Sequence, residues 1–96
     1  MQPNELLKVK KEEILHLAKH YGAIRIRAFG SAVRGEAQET SDIDFLVAFE
    51  PHRSLLDLIG LKQDLEELLG KKVDIVSEGG VSPFLRDRIF KEAISL

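Results

Sequence analysis

Two carboxylates, Asp42 and Asp44, stand two residues apart, and ten residues before them lies a Gly30-Ser31 pair. Alternate side chains of a strand share a face, so the two acids project to one side, roughly 6.6 Å apart along the chain. A divalent cation can bridge that span, and Mg²⁺ favours carboxylates, waters and substrate phosphates together. Gly30 lets the backbone approach a phosphate closely. Ser31 adds a hydroxyl and an amide where a helix is expected to begin. Arg34 can meet a phosphate oxygen from the same turn, with Gly35 relieving the backbone beside it. An acid pair beside such a turn has the parts that phosphoryl or nucleotidyl transfer requires.

Strand phase adds a third acid. In Lys72-Val73-Asp74-Ile75-Val76, Val73 and Ile75 share one face and Asp74 takes the other. On the earlier strand Ile43, Phe45 and Val47 face the core, while Asp42 and Asp44 face away. If the two strands are neighbours, Asp74 joins the pair. Three clustered carboxylates repel one another, and one or two Mg²⁺ ions would remove that cost. Asp74 would then either ligate the metal beside an attacking hydroxyl or take its proton. Singly, each feature has a plainer reading: a turn, a sheet-end acid, a surface acid, an exposed Arg34–Glu36 pair worth little. Their coincidence favours the chemical one.

The elements that must hold these residues follow from periodicity and punctuation. A helix is expected from about Glu5 to Tyr21, capped by Asn4, with Ile14, Leu17, Ala18 and Tyr21 as its buried stripe and Gly22 as its stop. The alternation in Ile24 to Phe29 predicts a half-buried strand ended by Gly30. Ser31 to Ala37 reads as a short helix or turn, and Gln38 to Ser41 as a polar loop. Asp42 to Phe49 is the second strand, closed by Glu50-Pro51. Ser54 with Asp57 signals a capping box for a helix to about Leu69, with Leu55, Leu58, Leu61, Leu65 and Leu68 inward and Gly70 as its stop. Lys72 to Val76 is a third strand, and Glu78-Gly79-Gly80 a loop. Ser82-Pro83 opens a last helix that buries Leu85, Ile89, Phe90, Ala93 and Ile94. The order predicts an α/β (α+β) fold, a small mixed sheet with helices packed on one face.

Ninety-six residues bound one small domain, 1–96, and 44% hydrophobic with 31% charged residues is an ordinary globular balance. The net charge of −2 gives no global basic field, so direct nucleic-acid binding is not expected. Charge is segregated: residues 1–35 carry seven Lys/Arg against three acids, and residues 36–78 four against eleven. The absence of cysteine excludes a disulfide framework and thiol chemistry. No apolar run approaches membrane-spanning length, so a cytoplasmic protein without membrane attachment is the expectation. His16 and His20 have zinc-compatible spacing without a third ligand, and His52 has no evident partner. Lys8, Lys10 and Lys11 read as a solvated face and Tyr21 as core, with a self-modification acceptor as the alternative. Leu46 and Val76 share phase with the acids and are expected to be exposed on an uncovered sheet face, a place for substrate or partner.

The segments Phe29-Gly30-Ser31 and Ser41-Asp42-Ile43-Asp44-Phe45-Leu46-Val47 resemble the signature of the DNA polymerase beta-like nucleotidyltransferases. Arg34-Gly35-Glu36, Val73-Asp74-Ile75-Val76 and the tail from Arg86-Asp87-Arg88-Ile89 to Glu92-Ala93 look like the minimal nucleotidyltransferases of that superfamily. The resemblance implies a Mg²⁺-dependent enzyme that moves a nucleoside monophosphate, usually AMP from ATP, to a hydroxyl. It implies Gly30 and Ser31 at the triphosphate, Asp42 and Asp44 at the metals, and Asp74 as the third acid. It further implies a HEPN-domain toxin as partner, modified on tyrosine by this chain acting as antitoxin. Ala32 departs from the pattern, since many relatives carry a basic residue there. A non-catalytic antitoxin that occludes its partner, and transfer to a small molecule, stay open. So do a homodimer and a heteromeric complex.

Overall fold

Ile43–Phe49 forms β2, the strand around which the rest is arranged, because its alternate side chains Ile43, Phe45 and Val47 are wholly buried. The computed structural model describes residues 2–36, 38 and 41–96. On one side β2 pairs antiparallel with β1 (Ala23–Phe29), and on the other it pairs parallel with β3 (Val73–Ser77). A parallel neighbour requires a crossover, which α4 (Leu55–Leu69) supplies. A two-residue strand β4 (Ile94–Ser95) completes the order β3-β2-β1-β4 by pairing antiparallel with β1. The remaining elements are α1 (Pro3–Val9), α2 (Lys11–His20), α3 (Ser31–Arg34), a 3-10 turn at Glu78–Gly80 and α5 (Pro83–Glu92). The sheet is mixed and the fold is α+β, as the order of elements predicts.

The core lies between one sheet face and helices α2 and α4. Ile14 and Ala18 of α2, Leu61, Leu65 and Leu69 of α4, and Ile26, Ala28, Ile43, Phe45, Val47 and Val73 of the sheet form one buried cluster. α4 begins with the expected capping box: the Ser54 hydroxyl accepts from the Leu56 amide, and the Asp57 carboxylate accepts from the Ser54 amide. Gly70, in the left-handed region at φ 66°, ends it.

Several expectations are corrected. The first helix is two, broken at Lys10 (φ −99°, ψ 11°), and Asn4 lies inside α1, whose cap position is Gln2. Hydrogen bonds continue across the break, and the bend lets Leu6 and Leu7 turn toward α3 while Ile14 and Ala18 face β1 and α4. Ile24 is exposed because β1 carries a bulge between Ala23 and Arg25, and the extra residue loses the phase that alternation assigned to it. Leu55 is 68% exposed and Leu58 half-buried, since α4 starts beyond the edge of the sheet and enters the core only at Leu61. Glu78–Gly80 is a 3-10 turn rather than a loop.

The last helix differs most. α5 buries no residue: Leu85 is exposed, Ile89 and Phe90 are half-buried, and Ala93 leaves the helix with extended dihedrals. Ile94 is exposed on β4. α5 meets the sheet face opposite the core, where polar side chains fill the interface. The Arg27 guanidinium lies 5.1 Å from the centre of the Phe90 ring, and Arg86 lies 4.8 Å from it. Glu78 accepts hydrogen bonds from Arg25 and Arg27. Leu46, in register with Arg27, is wholly buried beside this layer and Val76 half-buried, so neither is the open apolar surface expected. Ala37 and residues 39 and 40 of the expected 38–41 loop lie outside the described residues.

Leu61 and Leu55 share the expected stripe but not the core. Leu61→Ala should cost about 2–5 kcal/mol in urea denaturation and Leu55→Ala within about 0.5. Equal losses would contradict the position of α4.

Candidate active site

Asp44 sits at the second position of β2, with Phe29 of β1 in register on one side and Asp74 of β3 on the other. The apolar registers Ile43–Val73 and Phe45–Ile75 force this pairing, because a one-residue slip would turn the acids into the core. Asp42 stands one residue before β2 and is exposed, Asp44 is half-buried and Asp74 is exposed. The strand phase that joins Asp74 to the acid pair is therefore realised.

Burial pushes the Asp44 carboxyl up to about 6, with the charges of Asp74 and Asp42, and more weakly Glu92, acting in the same direction. Arg34 opposes them. The carboxylate of Asp44 thus lies among like charges and short of counter-charge. Among the described residues no group of three or more His, Asp or Glu side chains is arranged to hold a metal ion unaided. The acid set nevertheless fits Mg²⁺, because hard carboxylate oxygens short of counter-charge suit a cation that completes its shell with water and phosphate. Mg²⁺ is the group the residues present would accept. His16 and His20 are both exposed, and among the described residues they belong to no group of three that could hold a metal.

Gly30 joins β1 to α3 with φ 80°, and a Cβ there would run into the Oδ2 of Asp44. Glycine is required twice, by the backbone conformation and by the approach of the carboxylate. Sequence reasoning assigned the gap to a phosphate; in the structure Asp44 lines it. Ser31 opens α3, but α3 is a single turn, with the Val33 and Arg34 amides donating to the Gly30 carbonyl. One turn has almost no macrodipole, so Ser31 offers its own groups rather than a helix end.

Arg34 is not free. Its Nε donates to Glu36 at 3.1 Å, and its Nη1 donates to Glu92 at the end of α5. The hydrogen bond to Glu92, and next that to Glu36, raise the guanidinium above its ordinary value. Glu92 is the residue that sequence reasoning missed: it lies 58 positions from Arg34, and no local pattern links the two. Tyr21, half-buried, donates its hydroxyl to Asp64 at 2.6 Å, which is its structural role.

A family model for the nucleotidyltransferase domain matches residues 7–96. A Methanocaldococcus jannaschii protein that bears the name protein adenylyltransferase is 49% identical over 88 residues, 92% of this chain and 94% of that protein. A solved structure described as a minimal nucleotidyltransferase is 54% identical, with TM-score 0.87 over 97% of this chain and 95% of the other. The fold also recurs, at 21% identity and TM-score 0.71 over 92% of this chain and 69% of the other, in a solved complex of a tri-AMPylated Shewanella oneidensis HEPN toxin with an MNT antitoxin.

The raised carboxyl of Asp44 has a consequence for stability. Well below pH 3.8 it is protonated in both folded and unfolded chains; above about 6 it is charged in both, and the folded chain bears the cost of its burial and of the neighbouring charges. Asp44→Asn should therefore stabilise the metal-free protein by about 1–2 kcal/mol at pH 8, with the gain vanishing toward pH 4. Thermal melts at the two pH values check this, and a destabilised variant at pH 8 would refute it.

Proposed function

The chain belongs to the nucleotidyltransferase domain family, and on that premise we propose that it transfers AMP from ATP to a tyrosine hydroxyl of a HEPN-domain toxin and so acts as its antitoxin. The observation that carries this reading is the register of Asp44 with Asp74 beside the Gly30 turn. That geometry puts two carboxylates and a close backbone approach on one open end of a sheet.

In this reading Asp42 and Asp44 hold Mg²⁺, and Asp74 serves as the third acid. Bound there, Mg²⁺ would neutralise charge on the triphosphate and on the departing pyrophosphate. Gly30 and Ser31 admit the triphosphate to the edge of the sheet, and Arg34 offers its guanidinium to a phosphate oxygen. The acceptor hydroxyl oxygen bonds to the α-phosphorus as the bond to the bridging oxygen of the β-phosphate breaks. Pyrophosphate leaves with the bonding pair, and the hydroxyl proton passes to Asp74. Asp74 is suited to this role because it is exposed and accessible from solvent, where Asp44 is half-buried.

The protein acceptor is supported by the name of the 49% identical relative, and the HEPN partner by the complex in which the same fold occurs. Nothing in the site needs a nucleic-acid template, and no helix among the described residues is long and apolar enough to cross a membrane.

The test is incubation with α-labelled ATP, Mg²⁺ and a HEPN-domain partner from the same genome. The wild-type chain should label the partner, and the Asp42→Asn/Asp44→Asn variant should lose at least about a hundredfold of that rate. Chelation with EDTA should abolish labelling. A variant that binds and neutralises its partner as well as wild type, without label, would replace this reading with occlusion.

A further inference from the structure

α5 reaches the acid site through one side chain. Glu92, the last residue of the helix, accepts a hydrogen bond from Arg34 and lies close enough to Asp44 to act on its charge. We infer that Glu92 is a positioning residue that holds the Arg34 guanidinium in the orientation from which it meets the phosphates of the nucleotide. This rests on the nucleotide-binding role proposed above for Arg34.

The two carboxylates on Arg34 are unequal. The Glu36 side chain is 64% exposed and only two residues along the same surface turn, and such pairs contribute little. The Glu92 side chain is 15% exposed and comes from another element, where a charge-assisted bond is stronger. An arginine side chain loses rotamer freedom when it is fixed, so a clamp formed before the ligand arrives spares the ligand that cost. A guanidinium carries five N–H donors. Glu36 occupies Nε and Glu92 occupies one donor of Nη1, and among the described residues no partner takes Nη2. The donors left over are available to a phosphate oxygen.

The plainer role for Glu92 is to anchor α5, which has no buried residue and otherwise meets the body through Phe90, set between Arg27 and Arg86. The two roles differ in what they reach. An anchor acts through the Arg34 pair on the stability of α5 alone, whereas a positioning residue acts through the same pair on nucleotide affinity as well.

Calorimetric binding of Mg²⁺–AMP-PNP to the intact chain separates them without any acceptor. Glu92→Ala should raise Kd about tenfold, and Glu92→Gln, which keeps an acceptor oxygen, should stay within about threefold of wild type. Glu36→Ala should change Kd by less than about twofold. In the Arg34→Ala background, adding Glu92→Ala should change Kd by less than about twofold. An unchanged Kd in Glu92→Ala, or the same weakening with and without Arg34, overturns the inference and leaves Glu92 as an anchor. Failure of the folded wild-type chain to bind Mg²⁺–AMP-PNP overturns the nucleotide reading itself, a result distinct from loss of coupling.

Discussion

The parallel pairing of β2 with β3 is the constraint on which the site depends. Apolar residues on one face, Ile43 against Val73 and Phe45 against Ile75, choose the register, and the same register puts Asp44 opposite Asp74 on the other face. Two functions are thereby tied to one alignment. Strengthening the core holds the carboxylates together although they repel, and any slip that relieved the repulsion would bury an acid and expose the core. The energetic asymmetry is large. Ile43, Phe45, Leu46 and Val47 are wholly buried along β2, each worth about 1.5–3 kcal/mol, against a single carboxyl pushed up to about 6.

The face that carries the acids is divided along its length. At one end Asp42, Asp44 and Asp74 meet solvent. Further along, Arg25 and Arg27 bind Glu78, Arg27 lies across Phe90, and Leu46 is buried beside this layer. The Glu78 carboxyl is held below its usual range chiefly by its hydrogen bond to Arg25, with Arg27 assisting and burial opposing. The stability this adds is complete above pH 4.5 and is lost as pH falls through the lowered value. A polar cover of this kind closes the face without an apolar stripe on α5. That is why the helix can leave Phe84 96% exposed and Leu85 exposed.

Much of this was legible in the sequence because it is local. Alternation placed the acids and the core residues of β2 and β3, the Ser54–Asp57 spacing gave the capping box, and glycine marked the ends of β1 and α4. What was not legible depends on partners distant along the chain. The bend at Lys10 has no proline or glycine to announce it and follows from two hydrophobic stripes serving different neighbours. The bulge at Ile24 is a property of the β1–β2 ladder, and β4 exists only because Ile94 and Ser95 find the free edge of β1. α5 looked amphipathic because its apolar residues recur at helical spacing, yet the face it meets is ionic. The Arg34–Glu92 contact has the same origin: two exposed-looking charges, 58 residues apart, become one pair only when α5 is placed.

If the site takes a nucleotide as proposed, the charge balance around Asp44 would also limit the order in which its ligands arrive. Asp74, Asp42 and Glu92 act on it as anions and Arg34 as the cation, and that guanidinium is already shared between Glu36 and Glu92. A bare triphosphate would add further negative charge to a region where Asp42, Asp44, Asp74 and Glu92 already stand against one guanidinium. Coulomb repulsion between like unit charges about 4 Å apart amounts to about 4 kcal/mol at the dielectric of a protein surface, more than the remaining donors of one arginine return. Gly30 gives steric access to this edge of the sheet, but access alone does not make an anion welcome. The geometry therefore favours a nucleotide that enters with its divalent cation, so that the ligand brings the charge the carboxylates lack. On the proposed reading the acids would then cease to be a cost to folding and become the reason the complex forms.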